Sequence, residues 1–387
     1  MANSLKLYTK NIKNMKKNLT SLILFAKFNY VYSNKKNIRI LDLSNNINAN
    51  IIDDYAFSNN KIETLKLPNS LNFIGKSAFC NNEIKELDLS NCINLKTISE
   101  KTFFNNEIKK LKLPQFINTI EYSAFKNNRI EELDLSNCIN LNEIGYAAFY
   151  HNEIKKLKLP ELIEKIDLSS FKSNRIKTLK LPDLIEEIGC SAFENNNIEK
   201  LDLSNCINLK NIGREGFKRN KIKTLKLPNL IEEIERSAFK NNNIEELDLS
   251  SCSNLKNIEI DAFQNNKIKK LDLSNCINLK TIIYSSFKNN KIETLKLPDS
   301  IEKIENYTFE NNNIEELDLS NCTNLKLIDE NAFIKNPLQK IKILGGINVI
   351  YDSHFSNDLW NLLVDFYNNN GKKAGDYKLI NNQWQMV

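Results

Sequence analysis

Histidines, cysteines and carboxylates are the groups through which this chain of 387 residues would do chemistry, and their placement argues against it. The two histidines, His151 and His354, lie far apart in sequence. His151 replaces the first member of a recurring Asn-Asn pair, which makes it a turn residue. No Ser/His/Asp set, HExxH helix, glycine-rich phosphate loop or dinucleotide fingerprint accompanies them. Carboxylates are plentiful but recur in step, as solvated faces do. Of the eight cysteines, Cys92, Cys138, Cys206, Cys252, Cys276 and Cys322 hold one position of a repeated segment, where Asn46 stands in the first copy. Such equivalence marks a small buried side chain. No CxxC pair speaks for zinc. Cys92 and Cys138 belong to alternate segments, so stacked strands would hold them about 10 Å apart, beyond disulfide reach. Only Cys252 and Cys276 fall in neighbouring copies, and Cys80 and Cys190 stand off the pattern. The expectation is a non-enzyme with no cofactor and no metal.

The elements that place these residues come from one repeat. Phenylalanine recurs from Phe57 through Phe79 and Phe103 to Phe333 at spacings of 22 or 24 residues, with a weaker copy at Phe355. Eight residues after each of the first thirteen comes Leu-x-Leu or its equivalent, from Leu65/Leu67 to Ile341/Ile343. Three residues after each comes an asparagine, from Asn60 to Asn336. Alternation with period two predicts a short strand with both leucines inward. The asparagine, which tolerates left-handed backbone and can bond neighbouring main chain, predicts a turn. One coil cannot bury its apolar side alone, but a stack buries a continuous core. The fold class is therefore a repeat solenoid of about fourteen coils, with a parallel in-register β-sheet on one face.

Two coil types alternate imperfectly. The longer reads LDLSNCINLKTI, as at 87–98, and the shorter LKLPDSIEKI, as at 295–304. The stretch LKLPDSIEKIENYTF, with proline after the strand and "I…F" before the next one, resembles the BspA-type leucine-rich-repeat family over residues 38–355. That resemblance implies a leucine-rich-repeat fold and a role in protein binding or surface adhesion. It makes a protein of unspecified identity the expected partner.

Charge narrows the partners further. The net charge is +6, yet nine of the 54 basic residues fall within 1–41, which has no acidic residue. The rest then holds 45 basic against 48 acidic residues, so no specific nucleic acid is expected to bind the body of the chain. Residues 1–37 have three readings: a folded cap, a weak signal sequence around Leu19–Ala26, or a basic tail. The alternative function is a membrane-peripheral protein whose basic N-terminal segment meets the membrane surface.

Along the outward row between the paired leucines, Asp and Lys largely alternate from Asp42 to Lys342. Opposite charges on neighbouring strands support each other by roughly 0.2–1 kcal/mol per pair. The order fails at Lys158/Lys180, with Lys156 nearby, and at Asp248/Asp272, with Glu246 nearby. These mismatches are expected to leave charge unpaired. Lys156, Lys158 and Lys180 are the candidates for an acidic partner group, and Glu246, Asp248 and Asp272 for a basic one. A self-neutralising solvated ladder is the competing reading. The opposite face carries Tyr122, Tyr146, Tyr284 and Tyr307. Residues 356–387 read as a C-terminal cap: a helix over 358–367 stopped at Gly371, then a small hairpin or strand over Tyr377–Trp384. Trp360 and Trp384 are its expected core.

Overall fold

The computed structural model describes residues 37–46, 48–352, 354 and 357–387. The basic segment 1–36 and the Phe355 copy therefore lie outside the described residues. The chain divides into two compact units, one ending at Ile154 and one spanning Lys155–Val387. Each is a leucine-rich-repeat solenoid.

The coils begin with a three-residue strand centred on the first leucine, except that the coil at Leu179 has only isolated bridges and Lys340–Ile343 is four residues long. In the first unit Ile40–Asp42 pairs in parallel with Thr64–Lys66, Leu41 opposite Leu65, and Glu86–Asp88 pairs likewise with Lys110–Lys112. The central leucine points inward and its two neighbours are exposed, as strand geometry requires. The second leucine follows just outside the strand and is also buried, as at Leu89.

Each unit also has a second ladder, which the Leu-x-Leu pattern did not announce. It is built from two-residue strands ending in a buried isoleucine, such as Thr97–Ile98, Thr119–Ile120 and Glu143–Ile144. In the second unit it runs unbroken from Lys165–Ile166 to Asn348–Val349. The leucine ladder there is interrupted: isolated bridges Lys156↔Thr178 and Thr178↔Lys200 precede the first continuous stretch. The most continuous sheet thus belongs to the isoleucines.

The rest of each coil is a turn segment around the phenylalanine. In the first unit Phe57, Phe79, Phe103, Phe125 and Phe149 stack with successive ring centroids 5.3–5.5 Å apart. A second column in the other unit runs from Phe171 to Phe333. The residues two before and two after each ring from Phe57 to Phe309 adopt left-handed backbone, for example Ser237 and Asn241 around Phe239. Such φ values are uncommon outside glycine. Here they turn three amide N–H groups toward the next coil: Ser237, Phe239 and Asn241 donate to Ile260, Ala262 and Gln264 carbonyls at 2.8–3.0 Å. The ladder asparagine itself is not the left-handed residue, contrary to the sequence reading. Its predecessor is, and the ladder asparagine is buried.

At the C-terminus the helix Leu359–Asn369 starts at Asp358, whose side chain accepts the Trp360 N–H. Trp360 lies 4.9 Å from Phe333, ring to ring, and its Nε1 donates to Glu330 O at 2.8 Å. Gly371 has φ +74°, the left-handed conformation that ends helices. Gly375–Ile380 then pairs antiparallel with Lys340–Ile343, and Gln383–Met386 completes the hairpin. Both tryptophans are buried.

Candidate functional site

The outward face of the leucine strands is built by two local devices. In the long coil an aspartate folds the chain onto the following serine: Asp88 Oδ1 accepts Ser90 N at 3.0 Å and Ser90 Oγ at 2.6 Å. This leaves Oδ2 to face the next coil, where Lys112 Nζ approaches to 3.1 Å. In the short coil proline makes the turn instead, and lysine replaces aspartate. The same step recurs at Asp42–Lys66, Asp202–Lys226 and Asp272–Lys296, at 3.5, 3.8 and 3.2 Å. The serine hydroxyls hold the Asp42, Asp202, Asp248 and Asp272 carboxyls below the usual carboxylate range, with the lysines adding to the effect.

All six candidate residues lie exposed on this face in the second unit. Lys156 and Lys158 flank Leu157, and Lys180 stands on the coil bridged to theirs through Thr178. Lys155 and Lys177, exposed just ahead of the same strands, enlarge the basic patch; the sequence reading passed over them because they precede the alternating row. Glu246, Asp248 and Asp272 form the acidic counterpart. The expectation that both mismatches leave charge unpaired fails at Asp272, Lys156 and Lys158. Asp272 reaches Lys296, and Lys156 and Lys158 also have interaction partners. What the acidic mismatch does lack is sheet pairing. Each other long coil of this unit pairs over three residues with its successor, whereas Glu246–Asp248 and Lys270–Asp272 share no ladder. The break is not peculiar to like charges, since Thr294–Lys296 and Glu316–Asp318 share no ladder either. Four exposed apolar residues also escaped sequence reading: Leu162, Leu184, Ile207 and Leu230, on successive coils beyond the strand exits. For the three leucines the signal was present as the residue preceding the buried isoleucine of a short coil, whereas Ile207 follows Cys206 in a long coil.

The cysteines are free thiols, and those in repeat register are buried. Cys92 Sγ donates to Pro68 O of the preceding coil at 3.6 Å, and Cys206 and Cys252 do the same toward Pro182 and Pro228 at 3.9 Å. Burial pushes the Cys276 thiol up to about 12 and those of Cys138, Cys206, Cys252 and Cys322 to about 11. His151 and Asn127 side chains lie 3.2 Å apart, Nδ1 to Oδ1, while His354 pairs with Asp352 at 2.8 Å. Among the described residues no group of three or more His, Cys, Asp or Glu is placed to hold a metal, and no helix is long and apolar enough to cross a membrane. An apolar recess beneath the C-terminal helix is lined by Ile343, Val349, Trp360 and Leu363. Its polar group, the Tyr367 hydroxyl, is already donated to Leu344 O at 2.8 Å.

Repeating coils with this turn chemistry match the model of the BspA type leucine rich repeat region over residues 28–152, 142–269 and 248–361. The chain belongs to that family. None of the curated proteins matches it. Among solved structures it is similar to the functional domain of InlJ from Listeria monocytogenes, described as including a cysteine ladder. There the identity is 18%, the TM-score 0.46, and the match covers 82% of this chain and 76% of that one. It is also similar to YopM from Yersinia enterocolitica, at 20% identity and TM-score 0.45, covering 86% and 72%. The pneumococcal vaccine antigen PcpA gives 17% identity and TM-score 0.39, covering 81% and 74%. At such identity no function is carried over from these proteins.

Proposed function

We propose that this leucine-rich-repeat protein is a non-catalytic protein-binding scaffold whose partner docks on the outward strand face of the second unit. The observation that carries the reading is the cluster of five exposed lysines, Lys155, Lys156, Lys158, Lys177 and Lys180, on two bridged coils. Glu246, Asp248 and Asp272 supply the opposite charge further along the same unit. A partner bearing acidic then basic groups meets both, and complementary charge of this kind governs encounter rate and partner choice more than raw affinity. Surface adhesion is the specialised form of this role that the family resemblance suggests, and localisation of the native chain with and without residues 1–37 tests it.

The binding reading is tested with two variants. Lys180→Asp places a carboxylate beside Lys158 but also beside Asp202, so its stability should stay within about 0.5 kcal/mol of the parent. The triple variant Lys156→Glu, Lys158→Glu, Lys180→Glu inverts the patch. Immobilised parent protein should retain a partner that salt releases, and both variants should lose it while melting at nearly the parent temperature. Equal retention by all three proteins would remove this face from consideration.

A further inference from the structure

In the row one residue after each stacked phenylalanine, lysines of the second unit are held by carboxylates. Lys172 Nζ meets Glu194 at 2.6 Å, Lys218 meets Glu215 at 2.7 Å, Lys240 meets Asp261 at 2.8 Å, and Lys288 meets Glu310. Lys126 holds the same place in the first unit and is likewise half-buried. Its neighbours in the row, one coil before and one after, are Phe104 and Tyr150. Its Nζ lies 4.8 Å from the Tyr150 ring centre, and among the described residues it has no carboxylate partner. Four residues ahead of it in the same turn stands Tyr122, stacked on Tyr146 at 5.1 Å with 15° between the planes. Lys101 Nζ covers Tyr122 at 4.7 Å and has its own carboxylate, Glu100, at 3.3 Å.

An ammonium half removed from water is better served by a carboxylate than by an aromatic face, because charge-assisted bonds are the stronger ones. Lys126 alone of these equivalents has only the aromatic face. Tyrosine is also among the residues that dominate protein interfaces. We infer that this turn-side surface of the first unit binds an acidic segment of a protein partner. One carboxylate of that segment reaches Lys126, and a neighbouring apolar side chain packs against the edges of Tyr122 and Tyr146. A peptide fits better than a glycan. Sugars stack on aromatic faces, and the Tyr122 ring is already stacked on Tyr146 and covered by Lys101. The edges and hydroxyls remain, along with the 44% exposed Tyr146. An anionic membrane is a poorer match, since it would call for several ammonium groups and this row of the first unit, Ser58, Cys80, Phe104, Lys126 and Tyr150, holds one lysine. The inference does not depend on the lysine face of the second unit.

The test is fluorescence anisotropy of the full chain with three short labelled peptides: alternating Glu and Phe, alternating Lys and Phe, and Glu alone. The parent should bind the Glu–Phe peptide best. Lys126→Glu should weaken it about tenfold or more, and Tyr146→Ala by at least about threefold. Lys61→Glu, an exposed charge reversal in the same unit, should change nothing. Thermal melts establish that each variant is folded, and Lys126→Gln replaces Lys126→Glu if that protein is not. Equal affinity for the Glu–Phe and Lys–Phe peptides would overturn the inference. So would binding by Lys126→Glu and Tyr146→Ala that matches the parent. Glu-alone binding as tight as Glu–Phe would overturn the aromatic half.

Discussion

Asn82 reaches back to the previous coil and holds Ile62: its Oδ1 accepts the Ile62 N–H at 3.1 Å. Its Nδ2 donates to Phe57 O at 2.9 Å and Phe79 O at 3.0 Å. One buried amide thereby saturates a donor and two acceptors that the turn removes from water, and the motif repeats coil after coil. Only an amide brings an acceptor and two donors to one place. This explains why asparagine fills the position in all thirteen copies.

Replacing Asn242 with alanine should therefore be costly. It leaves the Ile222 N–H and the Phe217 and Phe239 carbonyls without their partner. The expected loss is about 2–4 kcal/mol, read from urea melts. Asn241→Gly next to it removes a half-buried amide that accepts Asn265 Nδ2 at 2.7 Å but relieves a left-handed backbone with φ 60°. It should stay within about 0.5 kcal/mol of the parent. Equal losses from the two changes would contradict the division of labour between the paired asparagines.

The Asp-Ser turns make the fold acid-sensitive. Asp202, Asp248 and Asp272 titrate below their ordinary value of 3.8 because serine hydroxyls and backbone amides bond the charged form. A depressed folded pKa gives stability that is complete above about pH 4 and lost as pH falls through the folded value. Ser274→Ala should cost about 0.5–1 kcal/mol at pH 7. The gap to the parent should narrow at pH 3, and a gap that stays constant with pH would contradict the mechanism.

The thiols respond at the other end of the scale. Their pKa values are raised by burial, so their contribution is intact below pH 9 and declines as pH climbs toward 11 or 12. In native protein at pH 8 the half-buried Cys190 should react first with a thiol reagent, and the six register cysteines should stay protected. After denaturation without reductant all eight should count as free. A count of two or fewer would show disulfides where the fold has none.

The phenylalanine column of the second unit ends on Trp360. Trp360→Ala should cost about 3–5 kcal/mol, since it removes both the ring against Phe333 and the bond to Glu330 O. Stacked coils depend on their neighbours, so the damage should be graded. Amide exchange should accelerate most around Phe333 and Phe309 and least near Phe217. Uniform acceleration across the unit would instead indicate a single cooperative block.

Much of this architecture is legible in the residues. The Phe57-to-Phe333 period, the inward leucines and the buried cysteine position all follow from spacing and residue type. The isoleucine ladder was harder to see because Thr97–Ile98 and its equivalents are two residues long, too short to display a period. The left-handed positions hid for a different reason. Tyr55, Lys101, Glu215 and Asp261 all adopt them, since bonds from the next coil impose the conformation whatever the side chain. At the strand face, sequence identified the like-charge neighbours but not where Asp272 would send its second oxygen. Lys126 was invisible because its meaning lies in what its equivalents have and it lacks.

The thiol of Cys92 leaning on the Pro68 carbonyl bears on how such a chain is inherited. It makes a short coil and the long coil after it a matched pair, so gain or loss of whole pairs leaves every contact restored. Exchange out of phase leaves a seam. Two seams are visible: the short coils at Leu157 and Leu179 adjoin, as do the long coils at Leu247 and Leu271. These are also the places where lysine meets lysine and aspartate meets aspartate. A single unequal crossover, with no point mutation, is enough to write a new charged patch onto a surface that otherwise cancels itself.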